Sequence, residues 1–429
     1  MFAPTNNTSL VKNTTHKVVI PFYVYAALSF LAATILLFFS TSAFTEHYFH
    51  PHTLAVTHAM ALGWGTMIIL GASHQLVPVL IEAKLYSTFL AYAAFVLAGI
   101  GIPLLVYAFF RFNLGWPAQT GGIFVNAAIV SFLVNMAMSI SKSKKQNVHA
   151  AFVFTAAAWL MITTGIGLLL VYNFTQSILP TDSLHYLSLH AHIGIVGWFL
   201  QLVIGVGSRL IPMFLISKYD EPKKLWTIYY LINAALAIFI IGFFFLLPAF
   251  FYLLPIAVVF LALALFGSYC RKAYRQRIRR QVDEQMKISL ASIAMMLLPV
   301  LFLIGLMLFL LASEADPKLV LAYGFTVFFG WLTAIILGMT FKTLPFIVWN
   351  KIYHDKAGQG KTPNPKDLFS AKIFNGMSIV YLAGFILFAA GILAVNTIVL
   401  QAASGLLLIT AVLYNWNIMR MLLHKPIVR

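Results

Sequence analysis

The chain is short of charge, and shortest of negative charge. Only 9% of its 429 residues are charged, and just 11 are acidic against 28 basic. A soluble domain carries about 25% charged residues. Together with 61% hydrophobic residues and a mean hydropathy of +0.91, this excludes an ordinary water-soluble globule. Every acidic residue (Glu46, Glu82, Asp182, Asp220, Glu221, Asp283, Glu284, Glu314, Asp316, Asp355 and Asp367) falls in a loop or at the end of an apolar stretch. Carboxylates inside a bilayer mark proton relays and ion sites. Their absence argues against a carboxylate-driven proton pump and leaves open relays through Tyr, Ser, Thr and water. The single cysteine, Cys270, excludes a disulfide, a Cys-based zinc site or a thiolate cluster within one chain. A phosphate loop is excluded at Gly360-Lys361-Thr362, because Asp355 stands where the first glycine is needed and no strand precedes it. No cleavable signal peptide is expected, since the polar first 17 residues precede a span too long for one.

What is present is length in apolar runs. A span needs roughly 20 mostly apolar residues. Twelve are expected, at 20–42, 55–80, 86–109, 120–140, 149–172, 187–214, 225–247, 249–269, 289–312, 319–347, 373–394 and 397–418. If Met1 starts in the cytoplasm, all the Lys and Arg except Arg111 and Lys318 lie on the cytoplasmic side, 26 of 28. That asymmetry is the positive-inside signal. It predicts both termini inside, in what is expected to be a bacterial inner membrane. The net charge of +17 is then topological, and nucleic acid is not an expected partner. Asn7 and Asn13, in Asn-x-Ser/Thr triplets, fall on the cytoplasmic side and count for nothing as glycosylation sites.

Three stretches repeat one another. HAMALGWGTMIILGASHQLVP begins at His58, HIGIVGWFLQLVIGVGSRLIP at His192 and FTVFFGWLTAIILGMTFKTLP at Phe325. Gly-Trp falls at +5 and +6 (Gly63-Trp64, Gly197-Trp198, Gly330-Trp331). Glycine recurs at +13 (Gly71, Gly205, Gly338) and proline at +20 (Pro78, Pro212, Pro345). The copies lie 134 and 133 residues apart and fall on the second, sixth and tenth spans. Such a period predicts related structural units. The expected architecture is an all-α polytopic membrane protein: one domain, 1–429, of twelve transmembrane helices in three pseudo-symmetric four-helix sectors, roughly 18–147, 148–286 and 287–429. The +5 and +13 glycines should let neighbouring helices approach closely. The tryptophans are expected to pack rather than to wall a cofactor.

Histidine supplies the intramembrane chemistry. His58, His190 and His192 share one depth by the repeat alignment, and neutral imidazole is a ligand for heme iron, copper or zinc. On a regular helix His190 and His192 point about 200° apart, so one helix can serve two sites. An isolated intramembrane histidine more often hydrogen-bonds across helices. Three at one depth point to a cofactor. Heme clamped between the second and sixth spans, by His58 and either His192 or His190, suits an apolar bundle, and the remaining histidine is free for a second heme or metal. His74, with Gln75, Arg209 and Lys342, is read as a polar rim snorkelling at the inner interface. His47, His50 and His52 crowd the first outer loop and are not assigned a metal.

Twelve helices with candidate ligands on the second and sixth spans resemble the catalytic subunit (subunit I) of heme-copper oxidases and nitric-oxide reductases. His190-Ala191-His192 followed by Gly197-Trp198, Gly205 and Pro212 resembles the His-x-His helix of C-type oxidases. The spacing also resembles the NnrS family of heme- and copper-containing membrane proteins. By the resemblance His58 matches an axial ligand of the low-spin heme and His192 a copper ligand. His190 has no counterpart on that helix. The tenth span carries Ala322, Tyr323, Gly324 and Phe325 where the family has His-x-His, and the seventh has no His-His pair. These departures argue against a full heme–copper binuclear centre. The resemblance implies a heme-binding protein engaged in electron transfer or in handling nitric oxide or oxygen. A c-type cytochrome or other redox partner is then expected, and copper is possible as a second cofactor. The alternative is a non-redox protein that handles heme or copper or assists assembly of an oxidase or reductase.

Overall fold

Backbone groups in a bilayer must be satisfied within the segment, so apolar runs of this length can only fold as helices. The computed structural model describes residues 14–143, 147–278, 280–312, 316–354 and 362–426. Asn7, Asn13, Glu314, Asp355 and Gly360-Lys361 lie outside them.

Among the described residues there are twelve helices long and apolar enough to cross a membrane. They are α1 (His16–Phe39), α2 (Pro51–Leu80), α3 (Thr88–Phe110), α4 (Trp116–Ile140), α5 (Val148–Gln176), α6 (Leu187–Leu215), α7 (Pro222–Phe244), α8 (Ala249–Arg275), α9 (Glu284–Ala312), α10 (Pro317–Tyr353), α11 (Ala371–Ala394) and α12 (Thr397–Leu422). Each expected span has its counterpart. Several starts are set by side-chain oxygens that accept from otherwise unpaired N–H groups of the first turn. Ser87 caps α3, Asn147 α5, Asp283 α9, Ser370 α11 and Asn396 α12.

Burial separates the helices into two rings. The central windows of α2, α6 and α10 are 83%, 72% and 78% buried, against 22–44% for the other nine. Outer helices pack on one another in the pairs α3–α4, α4–α5, α7–α8 and α11–α12, and α12 closes onto α1. The three helices that carry the repeated stretch are therefore the inner ones.

All three copies share a local distortion. The backbone turns from α to π just after the first motif residue, over Ala59–Thr66, Ile193–Leu200 and Thr326–Leu332. A π segment widens the turn and frees carbonyls, and such segments recur at functional sites. In α10, Gly330 leaves helical geometry altogether. The Tyr381 hydroxyl, from α11, donates to the freed carbonyls of Phe329 and Gly330 at 2.8 and 2.7 Å. Thr333 Oγ1 donates back to Phe328 O at 2.6 Å.

The motif residues lock the inner ring. Trp64 Nε1 donates to Thr333 Oγ1 and Trp198 Nε1 to Thr66 Oγ1, both at 3.1 Å. Both tryptophans are fully buried, and Trp198 also lines the cavity of His58 and His190. At Gly71 a Cβ would lie 2.6 Å from Phe22 of α1. Gly205 faces Phe152 of α5 in the same way, and Gly338 faces Ser289 of α9. The expected close approach is thus made by the helix that precedes each inner one.

Candidate functional site

In the N-terminal parts of α2 and α6, His58 and His190 lie next to one another. Their ring centroids are 6.4 Å apart and their planes differ by 20°. The His58 Nδ1–H donates to Leu54 O, one turn back, at 2.8 Å. The His190 Nδ1–H donates across to Thr163 O of α5 at 3.0 Å. With Nδ1 carrying the proton, each imidazole keeps its Nε2 lone pair for a ligand. Both rings line one cavity of about 600 Å³, walled mainly by Leu, Phe, Val and Thr side chains of α2 to α6, α9 and α10. Tyr48 and Thr53, at the outer end of α2, line it too.

The neighbours of the pair were not legible in the sequence. Phe109 of α3 packs on His58 with centroids 4.4 Å apart. Gly167 of α5 sits under His190, where a Cβ would come within 2.9 Å of the ring. The only sequence signal for this gap is the small-residue run Gly165-Ile166-Gly167.

His192 has other ring neighbours. Its Nδ1–H donates to Ser188 O at 2.8 Å, and its ring lies against Phe239 of α7 and Tyr323 of α10 at 5.0 and 5.7 Å. It lines the cavity shared by His58 and His190, and also a second cavity of about 540 Å³ between α6, α7, α8, α9 and α10. Of the two partners left open for His58, the structure brings up His190. Among the described residues no three His, Cys, Asp or Glu side chains gather where they could hold a metal ion together.

The outer-loop histidines cap and pack. His47 Nδ1 accepts from Phe49 N, and His50 Nδ1 accepts from His52 N at the start of α2. His52 stacks on Phe110. The snorkelling rim needs correction at two of its four members. His74 is fully buried, with its ring against Phe22 and Phe132 and its Nδ1–H donated to Leu70 O. Lys342 is only 9% exposed and pairs with Asp283 at the foot of α9. Both sit on inner helices, whose side chains meet outer helices rather than the interface. Arg209 is exposed, as expected.

The spans and their apolar exteriors define an integral membrane protein, seated in a lipid bilayer. The chain matches no protein-family model and no curated protein.

Proposed function

We propose that this protein binds heme between α2 and α6, with His58 and His190 as the two axial ligands, and that it transfers electrons or handles a diatomic gas such as nitric oxide or oxygen. The observation that carries the reading is the His58–His190 pair. Imidazole nitrogens sit about 2.0 Å from a metal, so two rings trans on one metal have centres roughly 6 Å apart. The 6.4 Å between the His58 and His190 rings accords with this. Both Nδ1 protons are held by backbone carbonyls, the outer-shell arrangement that fixes a ligating histidine. The adjoining cavity is in the size range of small-molecule and cofactor sites, about 300–1,000 Å³. Tyr48 and Thr53 offer polar groups at its outer mouth for the anionic edge of the macrocycle.

Heme supplies a reversible one-electron couple, and the axial ligands and the polarity around them tune it. The chain's own part is to orient two imidazoles and to keep bulk water away with apolar walls. A plan like heme-copper oxidase subunit I, with three related sectors, accords with the inner ring, the shared π segments and the repeated tryptophan–threonine bonds. The basic residues favour cytoplasmic termini in a bacterial plasma membrane, with a c-type cytochrome as the natural redox partner. Copper gains no support, because His192 has no company of ligands among the described residues.

A reduced-minus-oxidised spectrum with pyridine hemochrome quantitation tests the reading on purified protein. His58→Ala and His190→Ala should each lose the low-spin heme, and His192→Ala should retain it. Full heme in His190→Ala would return the ligand role to His192. A colourless wild type, expressed with ample heme, would sink the heme reading and favour the handling or assembly role.

A further inference from the structure

The second cavity has chemistry of its own. It is built from α6 to α10, and most of its wall is Leu, Ile, Val, Phe, Met and Pro. Among the described residues no Lys, Arg, Asp or Glu lines it, and such a wall suits a neutral occupant. Leu246, in the hairpin between α7 and α8, lines it while 74% exposed. In a membrane protein an exposed leucine at a helix end faces acyl chains, so the cavity is open toward lipid.

Polar side chains interrupt the apolar wall at His185, Ser188, His192, Tyr252, Tyr323 and Trp331, and among them His192 and Tyr323 lie ring beside ring. His192 has its Nδ1 proton committed to Ser188 O, which leaves Nε2 as an acceptor. Tyr323 is 8% exposed, and its hydroxyl makes no hydrogen bond among the described residues. The hydroxyl is therefore available to donate to a group that enters the cavity. The two rings are close to parallel, 22° apart, with centroids separated by 5.7 Å.

We propose that this cavity binds the headgroup of a lipid-soluble isoprenoid quinone or quinol. A quinone carbonyl would accept a hydrogen bond from the Tyr323 hydroxyl, and a quinol hydroxyl would donate one to His192 Nε2. The isoprenoid tail leaves past Leu246 into the bilayer. A phospholipid or fatty acid satisfies the apolar wall but brings an anionic group for which no Lys or Arg stands among the described lining residues. His192, Tyr323 and Met307 line both cavities, so the quinone ring would lie beside the His58–His190 cavity. That neighbourhood gains redox meaning only with the heme reading. The binding site itself does not depend on it.

The test is photolabelling of the full-length protein in nanodiscs with a short-chain azidoquinone, with decylubiquinone as competitor and adducts mapped by mass spectrometry. Labelling should be saturable, competed by decylubiquinone and confined to α6 to α10 near the cavity. Tyr323→Phe keeps the ring and removes one donor, so apparent affinity should fall about tenfold, the worth of one good hydrogen bond. His58→Ala should leave labelling unchanged even if it abolishes heme, which separates failure of one reading from failure of the other. Non-saturable labelling, adducts outside the cavity, equal competition by a decyl chain lacking the quinone ring, or indifference to Tyr323→Phe would each overturn the proposal.

Discussion

Gly167→Ala perturbs the proposed ligand pair without touching a ligand. The added methyl would lie 2.9 Å from His190 Cε1 and 3.4 Å from its Nδ1. Carbon atoms rest about 3.5–4.0 Å apart, so the imidazole must retreat by about 0.5–1 Å. Retreat strains the 3.0 Å bond from His190 Nδ1 to Thr163 O, and near 3.5 Å that bond is lost. Loss of an outer-shell partner typically weakens metal binding about 10–100-fold. Heme affinity of Gly167→Ala should fall by about that factor, with an altered low-spin spectrum. Gly165→Ala is the control. It lies two residues away on the same helix with nothing within 4 Å of its added Cβ, and alanine favours the helix by about 1 kcal/mol. Hemin titration of the heme-depleted protein, read at the Soret band beside a thermal melt, makes the comparison. Wild-type affinity in a folded Gly167→Ala, or equal weakening in Gly165→Ala, would refute the geometric argument.

Three further outcomes are expected. Gly71→Ala puts a methyl 2.6 Å from Phe22 Cβ and must part α1 from α2, at a cost of about 1–3 kcal/mol, read as a lower melting temperature in detergent. Tyr381→Phe strips the donor from the carbonyls of Phe329 and Gly330 at the α10 kink. It should cost about 0.6–2 kcal/mol in the same melt while leaving the heme spectrum unchanged. On the basic side of the protein, Glu221 accepts from the Tyr219 hydroxyl and lies 3.3 and 3.6 Å from Lys224 and Lys272. Tyr219 first, then the lysines, hold its carboxyl below the usual carboxylate range. A depressed folded value stabilises at neutral pH, and the contribution fades as pH falls through it. Glu221→Gln should therefore flatten the acid limb of a melting-versus-pH curve and leave the alkaline limb alone, with a small effect because the group is solvent-exposed.

The sequence by itself determined the spans, because hydropathy over about 20 residues is a local property that the bilayer enforces. It also determined the inner helices in part. A glycine at +13 has use only where another helix presses on it, and Gly71, Gly205 and Gly338 all meet such a neighbour. The shared depth of His58, His190 and His192 was likewise readable from the repeat. Which histidine faces His58 was not. That depends on how α6 is rotated against α2 and α5, and Thr163 and Gly167, which hold and admit His190, lie on a helix without the motif. The burial of His74 and Lys342 was hidden for a related reason. Counting along a helix gives depth, but whether a side chain at that depth meets water, lipid or another helix is decided by neighbours distant in the chain. The π turn after each first motif residue shifts the angular register below it, so a fixed 100° per residue cannot carry a face from the histidines to the tryptophans. Only packing of all twelve helices fixes those directions.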